Sequence, residues 1–585
     1  MPSTTALYTA LSGLNANARN IDVVGNNIAN INTTAFKSSR LMFSSMFSKT
    51  ISGGTPPGDT SGGTNPHQIG FGVNVAGTQR NFASGGLTTT GDSRDLAIEG
   101  DGFFMVQNGS DTRYTRAGAF RQNANQDLTT IGGQKLLGYG VDADFNITPG
   151  ALVDLNIPLG GLPIANATEN VTLRGNLKSD GELPSQGSLT TLGASTTTGF
   201  RAISTAVPAP GAGNQLELTT LLTQIEDPDL PGTDTPLFFA GQSIELRDAE
   251  KGAKNVPTAT LAVAATTTVQ DFVNFMNQAL GIVSTVGANP DGRTPGATLD
   301  PTTGVLSLTG NTGTLNDIAL DTTDLRLLDA SGVSIGSPFV SSKLADADGE
   351  SVRTTFVAYD SLGSTVSLDA TFVLDSRTSS TTTWRYYLES ADDSDLSTNV
   401  GTGTLSFDTD GQLIDTAPVT VSLDRINAGV NTPMTFTLRF QDQQSVTTSL
   451  AANQSKILAS FRDGAPLGTL SAFTVGGDGV IIGSFTNGLS RPIGQVALAT
   501  FANNEGLVDE GDGLFRPGAN SGTPMVTTPG TLGAGTIVAE SLEISNVELG
   551  DEFIKLIQAS TGYSANSRVI RTTDELMQQL LVLGR

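Results

Sequence analysis

Both ends of this chain place apolar side chains seven residues apart, and no other feature restricts its possible folds so strongly. Near the start, Leu7, Leu14, Ile21 and Ile28 recur in step, with Leu11, Ala18 and Gly25 at the offset of four. That is a narrow a/d seam on a helix. Near the end, Leu549, Leu556, Tyr563, Ile570 and Met577 keep the same interval. Phe553 and Leu581 sit at the matching offset, where Ser560, Ser567 and Asp574 fill the other places. Run as one helix over 546–583, this segment would span roughly 57 Å. A seam of that length at a chain terminus needs another helix, and the opposite terminus supplies the candidate. The spacing therefore predicts a coiled-coil-like core that pairs residues 1–32 with 545–585.

The N-terminal helix has an unusual back. Residues 13–37, GLNANARNIDVVGNNIANINTTAFK, hold seven asparagines, one acid and two bases. Asparagine is a mediocre helix former that favours caps and turns. Asn15, Asn17, Asn20, Asn26, Asn27 and Asn30 all lie off the Leu7–Ile28 row, so they are expected to point away from the helix partner.

Between the ends the pattern is β. Short alternating runs such as LAIEGDGFFMVQNG, TWRYYLESA and PMTFTLRF are separated by Gly and Asp-Gly, which read as hairpins. The one interruption is 267–281, TTVQDFVNFMNQALG. There Val269, Phe272, Val273, Phe275, Met276 and Leu280 make an amphipathic helix, with Thr268 as N-cap and Gly281 as stop. Residues 44–70 are rich in breakers and read as a linker.

Composition removes most kinds of chemistry. The 585 residues carry a net charge of −25, which disfavours nucleic acid and anionic membrane. No apolar run approaches the ~20 residues of a membrane helix. MPSTTALYTALSG lacks the charged and apolar regions of a secretory signal, so it is expected to be structure rather than address. With no cysteine and a single histidine, His67, thiolate nucleophiles, His-paired triads and Cys-type zinc sites drop out. His67 lies in a Gly/Pro loop and reads as a solvated loop residue. ADADGE (345–350) and FDTDGQ (407–412) each offer D-x-D-G. The place for a final calcium ligand, however, holds Val357 in one and Val419 in the other. No catalytic, metal or cofactor-binding residue is expected, and no enzyme.

ALSGLNANARNIDVVGNNIANINTTAFK closely resembles the N-terminal signature of the bacterial flagellar axial proteins of rod, hook and hook-associated type. LEISNVELGDEFIKLIQASTGYSANSRVIRTTDELMQQLL resembles their C-terminal signature. LAIEGDGFFMV and YTRAGAF (114–120) look like their inner β-domain, and FVAYDSLGS (356–364) with FDTDGQL looks like the outer domain of the hook branch. Ala35 stands where the family usually has Gly.

The resemblance implies a radial domain series built from discontinuous segments. Residues 1–32 and 545–585 form the helical core, and 33–70 with 536–544 a linker. An inner β-domain then takes 71–145 and 462–535, and an outer one 146–180 and 350–461. Residues 181–349 would be an inserted additional outer domain. It implies a subunit of the flagellar hook: a self-assembling hollow helical tube that joins rod to filament and transmits torque as it bends. Leu7, Leu11, Leu14, Ile21, Ile28, Leu549, Phe553, Leu556, Tyr563, Ile570, Met577 and Leu581 would form the polymer core interface. Other copies of the chain, the rod, the hook cap, the hook–filament junction proteins and the type III export apparatus are the implied partners, at an extracellular location reached without a cleaved signal. A distal rod protein, a β-rich secreted adhesin and a glycan-acting enzyme are the alternatives. The long β middle counts against the first, the lack of a signal peptide against the second, and the absence of any motif singling out a carboxylate pair against the third.

Overall fold

The computed structural model describes residues 2–195, 198–206, 213–414, 417–441 and 446–583; residues 1, 196–197, 207–212, 415–416, 442–445 and 584–585 of the regions named above lie outside these. Strands dominate, together with α1 (Pro2–Ala29), α2 (Val269–Ala279) and α3 (Leu549–Leu583). The chain divides into two compact units, 1–163 with 469–585 and 164–468.

In the first unit α1 packs along α3. The largest sheet of this unit draws its strands from both chain halves. Val480–Phe485 pairs with Ser490–Val496, then Lys135–Val141, Phe103–Asn108, Asp111–Thr115 and Leu514–Arg516. Phe103 is the hub of its core, edge-on to Phe82, Phe501 and Phe515 at 5.8, 5.8 and 5.9 Å. Such T-shaped pairs add to area burial because ring edge meets ring face.

The predicted linkers are strands. Ser39–Ser45 pairs antiparallel with Val73–Arg80, and Ser48–Ser52 with His67–Gly70. His67 thus opens an exposed strand rather than sitting in a loop. On the other side Thr536–Ala539 pairs with Leu96–Glu99, and Ser541–Glu543 with Leu87–Thr89. The boundary near 145 also moves. Ile147–Asp154 pairs with Lys135–Val141, which keeps residues up to 163 in the first unit. Ala465–Gly468 pairs with Ile164–Asn166 in the second.

Among the described residues the second unit has two large cores. A four-stranded meander, Ser351–Tyr359 to Asn399–Phe407, shares one core with the strands Asn170–Asn176, Val419–Leu423, Met434–Arg439 and Lys456–Arg462. Trp384 and Phe407 are fully buried there. The other core belongs to the insertion. There α2 carries the predicted cap: Thr268 Oγ1 accepts from the Asp271 N–H, and the Asp271 carboxylate accepts from the Thr268 N–H. Gly281 follows the helix at φ +59°, a left-handed position that suits glycine. Phe272, buried by α2, stacks on Phe339 at 5.0 Å.

Of the two D-x-D-G sites, 408–411 is a turn, as expected, whereas 346–349 is not and its Asp348 instead ties in a distant segment. Asp408 Oδ1 accepts from the N–H of Asp410 and Gln412, and the Asp348 carboxylate accepts from the N–H of Ser185 and Gln186. Among the described residues no helix is long and apolar enough to cross a membrane.

Candidate functional site: the paired terminal helices and their anchor

The two terminal helices do pair, but through a different face from the one the large apolar residues mark. Gly13 lies against Asn566, Asn17 against Gly562 and Asn27 against Glu552, so the helices run antiparallel. Buried on the two helices are Ala10, Gly13, Ala16, Val24 and Asn27 on α1, with Glu552, Ala559 and Thr573 on α3. Each of these except Ala16 precedes by one residue a position of the predicted seam. One residue is a rotation of roughly 100° about the helix axis.

The reason is steric. A Cβ added at Gly13 would sit 2.7 Å from Asn566 Nδ2, and one at Gly562 would sit 2.9 Å from Asn17 Oδ1. Glycine at each place leaves room for the asparagine of the facing helix, room that a leucine there would fill. The asparagines meet their hydrogen-bonding needs locally. Asn17 Nδ2 donates to Gly13 O at 2.8 Å, and Asn566 Nδ2 donates to Gly562 O at 2.9 Å. Asn17 and Asn27 therefore face the partner helix, against the expectation that they point away from it.

The predicted interface residues are left on the outside of the pair. Leu7, Leu11, Leu549, Phe553, Tyr563, Met577 and Leu581 are exposed, while Leu14, Ile21, Ile28, Leu556 and Ile570 are half-buried at its flanks. Tyr8, Ile554 and Ile557 extend the exposed set. Large apolar side chains gathered on the outside of a helix pair are the mark of an interaction surface.

At the base of the helices lies an anchor that the seven-residue pattern could not show. Glu543, just ahead of α3, is fully buried between Lys37 and Arg116. Lys37 Nζ donates to Glu543 Oε1 at 2.7 Å and to Ala83 O at 2.9 Å; Arg116 Nε donates to Glu543 Oε2 at 3.0 Å. The Gly85 N–H donates to the same carboxylate at 2.8 Å. Arg116 Nη1 also donates to the carbonyls of Gly100 and Gly102, both at 2.8 Å, and Nη2 to that of Ile98 at 3.2 Å. Burial acts to raise the Glu543 carboxyl, but Arg116 and Lys37 together outweigh it and hold it below the usual carboxylate range. One signal was available in the sequence: AFK, YTRAGAF and LEISN, which belong to three separate motifs, each contribute one member.

Ala35 sits beside this cluster at φ +54°, buried, its N–H donating to Glu543 O at 2.8 Å. The left-handed region costs an alanine about 1 kcal/mol or more, part of which a glycine gives back as unfolded-state entropy. Ala35→Gly is therefore expected to stabilise the first unit by up to about 1 kcal/mol. Ala35→Val should destabilise it, because a branched Cβ crowds a left-handed backbone further. Denaturant midpoints of the two variants check both signs.

Four family profiles match along the chain. "Flagella basal body rod protein" covers 7–37, "Flagellar hook protein FlgE/F/G D1 domain" 97–177, "Flagellar basal body protein FlaE D2 domain" 328–464 and "Flagellar basal body rod FlgEFG protein C-terminal" 538–583. The chain carries domains of the flagellar hook and rod family. Among full-length relatives, the flagellar hook protein FlgE of Treponema pallidum is 28% identical, over 99% of both chains. That of Borreliella burgdorferi is 26% identical over 99% of both, and that of Escherichia coli 24% over 99% of this chain and all of its own. The crystal structure of the Helicobacter pylori hook protein FlgE2 aligns with 78% of this chain and all of its own, at 17% identity and a TM-score of 0.36. By residue range the two helical profiles fall on α1 and α3, and the D1 profile takes in the strand Asp111–Thr115 that Arg116 follows.

Proposed function

We propose that this chain is the structural subunit of the flagellar hook, a hollow helical tube that joins rod to filament and bends while it transmits torque. The observation that carries this reading is the outward apolar surface of the α1–α3 pair in a chain that matches hook proteins over its whole length. In the tube, many copies pair these faces around the axis, and the twelve seam residues form the polymer core interface. The β-domains then form a radial series outward from the helices. The rod, hook cap, junction proteins and type III export apparatus are its partners, and no catalysis is involved. Ser-, Thr- and Gly-rich surfaces on the β-domains suit sliding contacts, since their hydrogen bonds exchange with water. Electron microscopy of the purified chain tests the proposal: short curved tubes are expected, and straight rods or monomers alone would refute it.

The insertion over 181–349 is expected to be dispensable for tube formation. Its two ends already meet, with the Glu350 N–H donating to Glu182 O at 2.8 Å, so the flanking strands can be rejoined. Excision would uncover Val373 and Tyr387, which pack against Val283, and would free Glu389 from Lys251. A modest loss of solubility should follow, while tubes persist under the microscope. A folded deletion variant that stays monomeric would show that the insertion makes essential contacts between subunits.

A further inference from the structure

The two terminal helices carry the same eight-residue pattern: SGLNANAR over 12–19 and TGYSANSR over 561–568. Each reads hydroxyl, Gly, large apolar, polar, Ala, Asn, small, Arg. The structure brings the two copies face to face, running in opposite directions. Each Asn bonds to the carbonyl of the Gly one turn before it on its own helix. Each Asn also fills the space above the Gly of the other helix. The arrangement is reciprocal: Gly13 receives Asn566, and Gly562 receives Asn17.

We infer that this repeated Gly-x-x-x-Asn pair is a register lock that positions the outward apolar rows of α1 and α3. Apart from Asn27, which donates to the Glu552 carboxylate at the base, the rest of the shared line, Ala10, Val24, Ala559 and Thr573, holds no large knob, and a line of small residues selects its register weakly. At the base the anchor and the Asn27–Glu552 hydrogen bond fix the register; along the length of the helices beyond them the lock supplies the selection. In a pairing slipped by one heptad, Asn17 meets Val569 or Lys555, and Asn566 meets Asn20 or Ala6. Each Asn then loses its matching glycine. A polar residue at a single seam position is an established way to specify register at some expense of stability. Here it has a steric complement on the facing helix. The outward residues Leu11 and Phe553 keep one spatial relation only while the register holds. The importance of that relation for assembly rests on the hook reading; the lock itself does not.

The chain contains no cysteine, so introduced pairs report register cleanly. Ala10 and Val569 line one groove, and the pair Ala10→Cys with Val569→Cys should cross-link in the full-length monomer. Ala10→Cys with Leu576→Cys, one heptad out, should not. In an Asn17→Leu, Asn566→Leu background the helices keep an apolar seam but lose the lock. The ratio of in-register to out-of-register product should then fall by about tenfold or more. Exchanging partners with Asn17→Gly and Gly562→Asn together should restore the ratio that either change alone reduces, a rescue that general destabilisation would not produce. An unchanged ratio in the double-leucine background, or a swap no better than its single changes, overturns the lock. Because the readout is made on monomer, it stands whether or not the chain forms tubes.

Discussion

Glu543→Gln is expected to cost the first unit about 3–5 kcal/mol, the range for removing one partner of a buried ion pair. The amide keeps the shape of the carboxylate but leaves Lys37 and Arg116 as two uncompensated cations in a closed site. Their remaining acceptors are carbonyls of residues 83, 98, 100 and 102 and the hydroxyl of Ser84, which cannot cancel two charges. The consequence reaches both helices. Lys37 follows α1, Glu543 precedes α3, and the Glu543 carbonyl also accepts from Ala35. Loosening the anchor should fray the bases of α1 and α3 before the sheet opens. Urea unfolding followed by far-ultraviolet circular dichroism would show an early helical phase in the variant and none in the parent.

The same carboxylate gives a pH dependence of known sign. Its pKa is lower in the folded chain than in the unfolded one, so its contribution is complete above the unfolded value, about 4.3. The contribution disappears as pH falls through the lower folded value. The parent should lose stability on acidification below about pH 4, and Glu543→Gln should lose less over the same interval. An identical acid slope in both proteins would remove Glu543 from the groups responsible.

What the sequence made legible, and what it hid, follows from the physics of periodicity. Two helices at the ends were readable because an apolar interval of seven, kept over many turns, fits one face of a helix and no face of a strand. Thr268, Asp271 and Gly281 were readable because caps use a small vocabulary at fixed places. The face that α1 and α3 share was hidden, since periodicity locates a stripe and not its partner. Two stripes lie one residue apart, and hydrophobicity draws attention to the large one. Close packing uses the small one, where Gly13 and Gly562 remove the steric bar. The strands at 39–52 and 67–80 were hidden for another reason. Most of their residues are exposed on both sides, so no apolar alternation betrays them, and the glycines and prolines between them dominate the pattern. The anchor of Lys37, Arg116 and Glu543 joins residues hundreds of positions apart, and single charges carry no periodic signal.

Leu11→Asp and Phe553→Asp are each expected to abolish tube formation while leaving the monomer intact. Leu11 is 44% exposed and Phe553 47% exposed in the single chain, so a carboxylate at either place remains hydrated there. The change in monomer stability should stay within about 1 kcal/mol, mostly the lower helix propensity of aspartate. Assembly reverses the situation. Once a second copy covers these rows, each carboxylate must lose water without a partner, at a cost of several kcal/mol per subunit. Every subunit of a tube repeats that cost, and the polymer gains nothing to offset it. Replacing Ala559 in the same way gives the opposite control. Ala559 is buried between the two helices, so Ala559→Asp should damage the monomer first. Thermal unfolding of the three variants, beside electron microscopy and swimming assays, separates the two faces. Tubes from both Leu11→Asp and Phe553→Asp would remove the large apolar rows from the subunit interface and leave the small-residue line as the only role of the terminal helices.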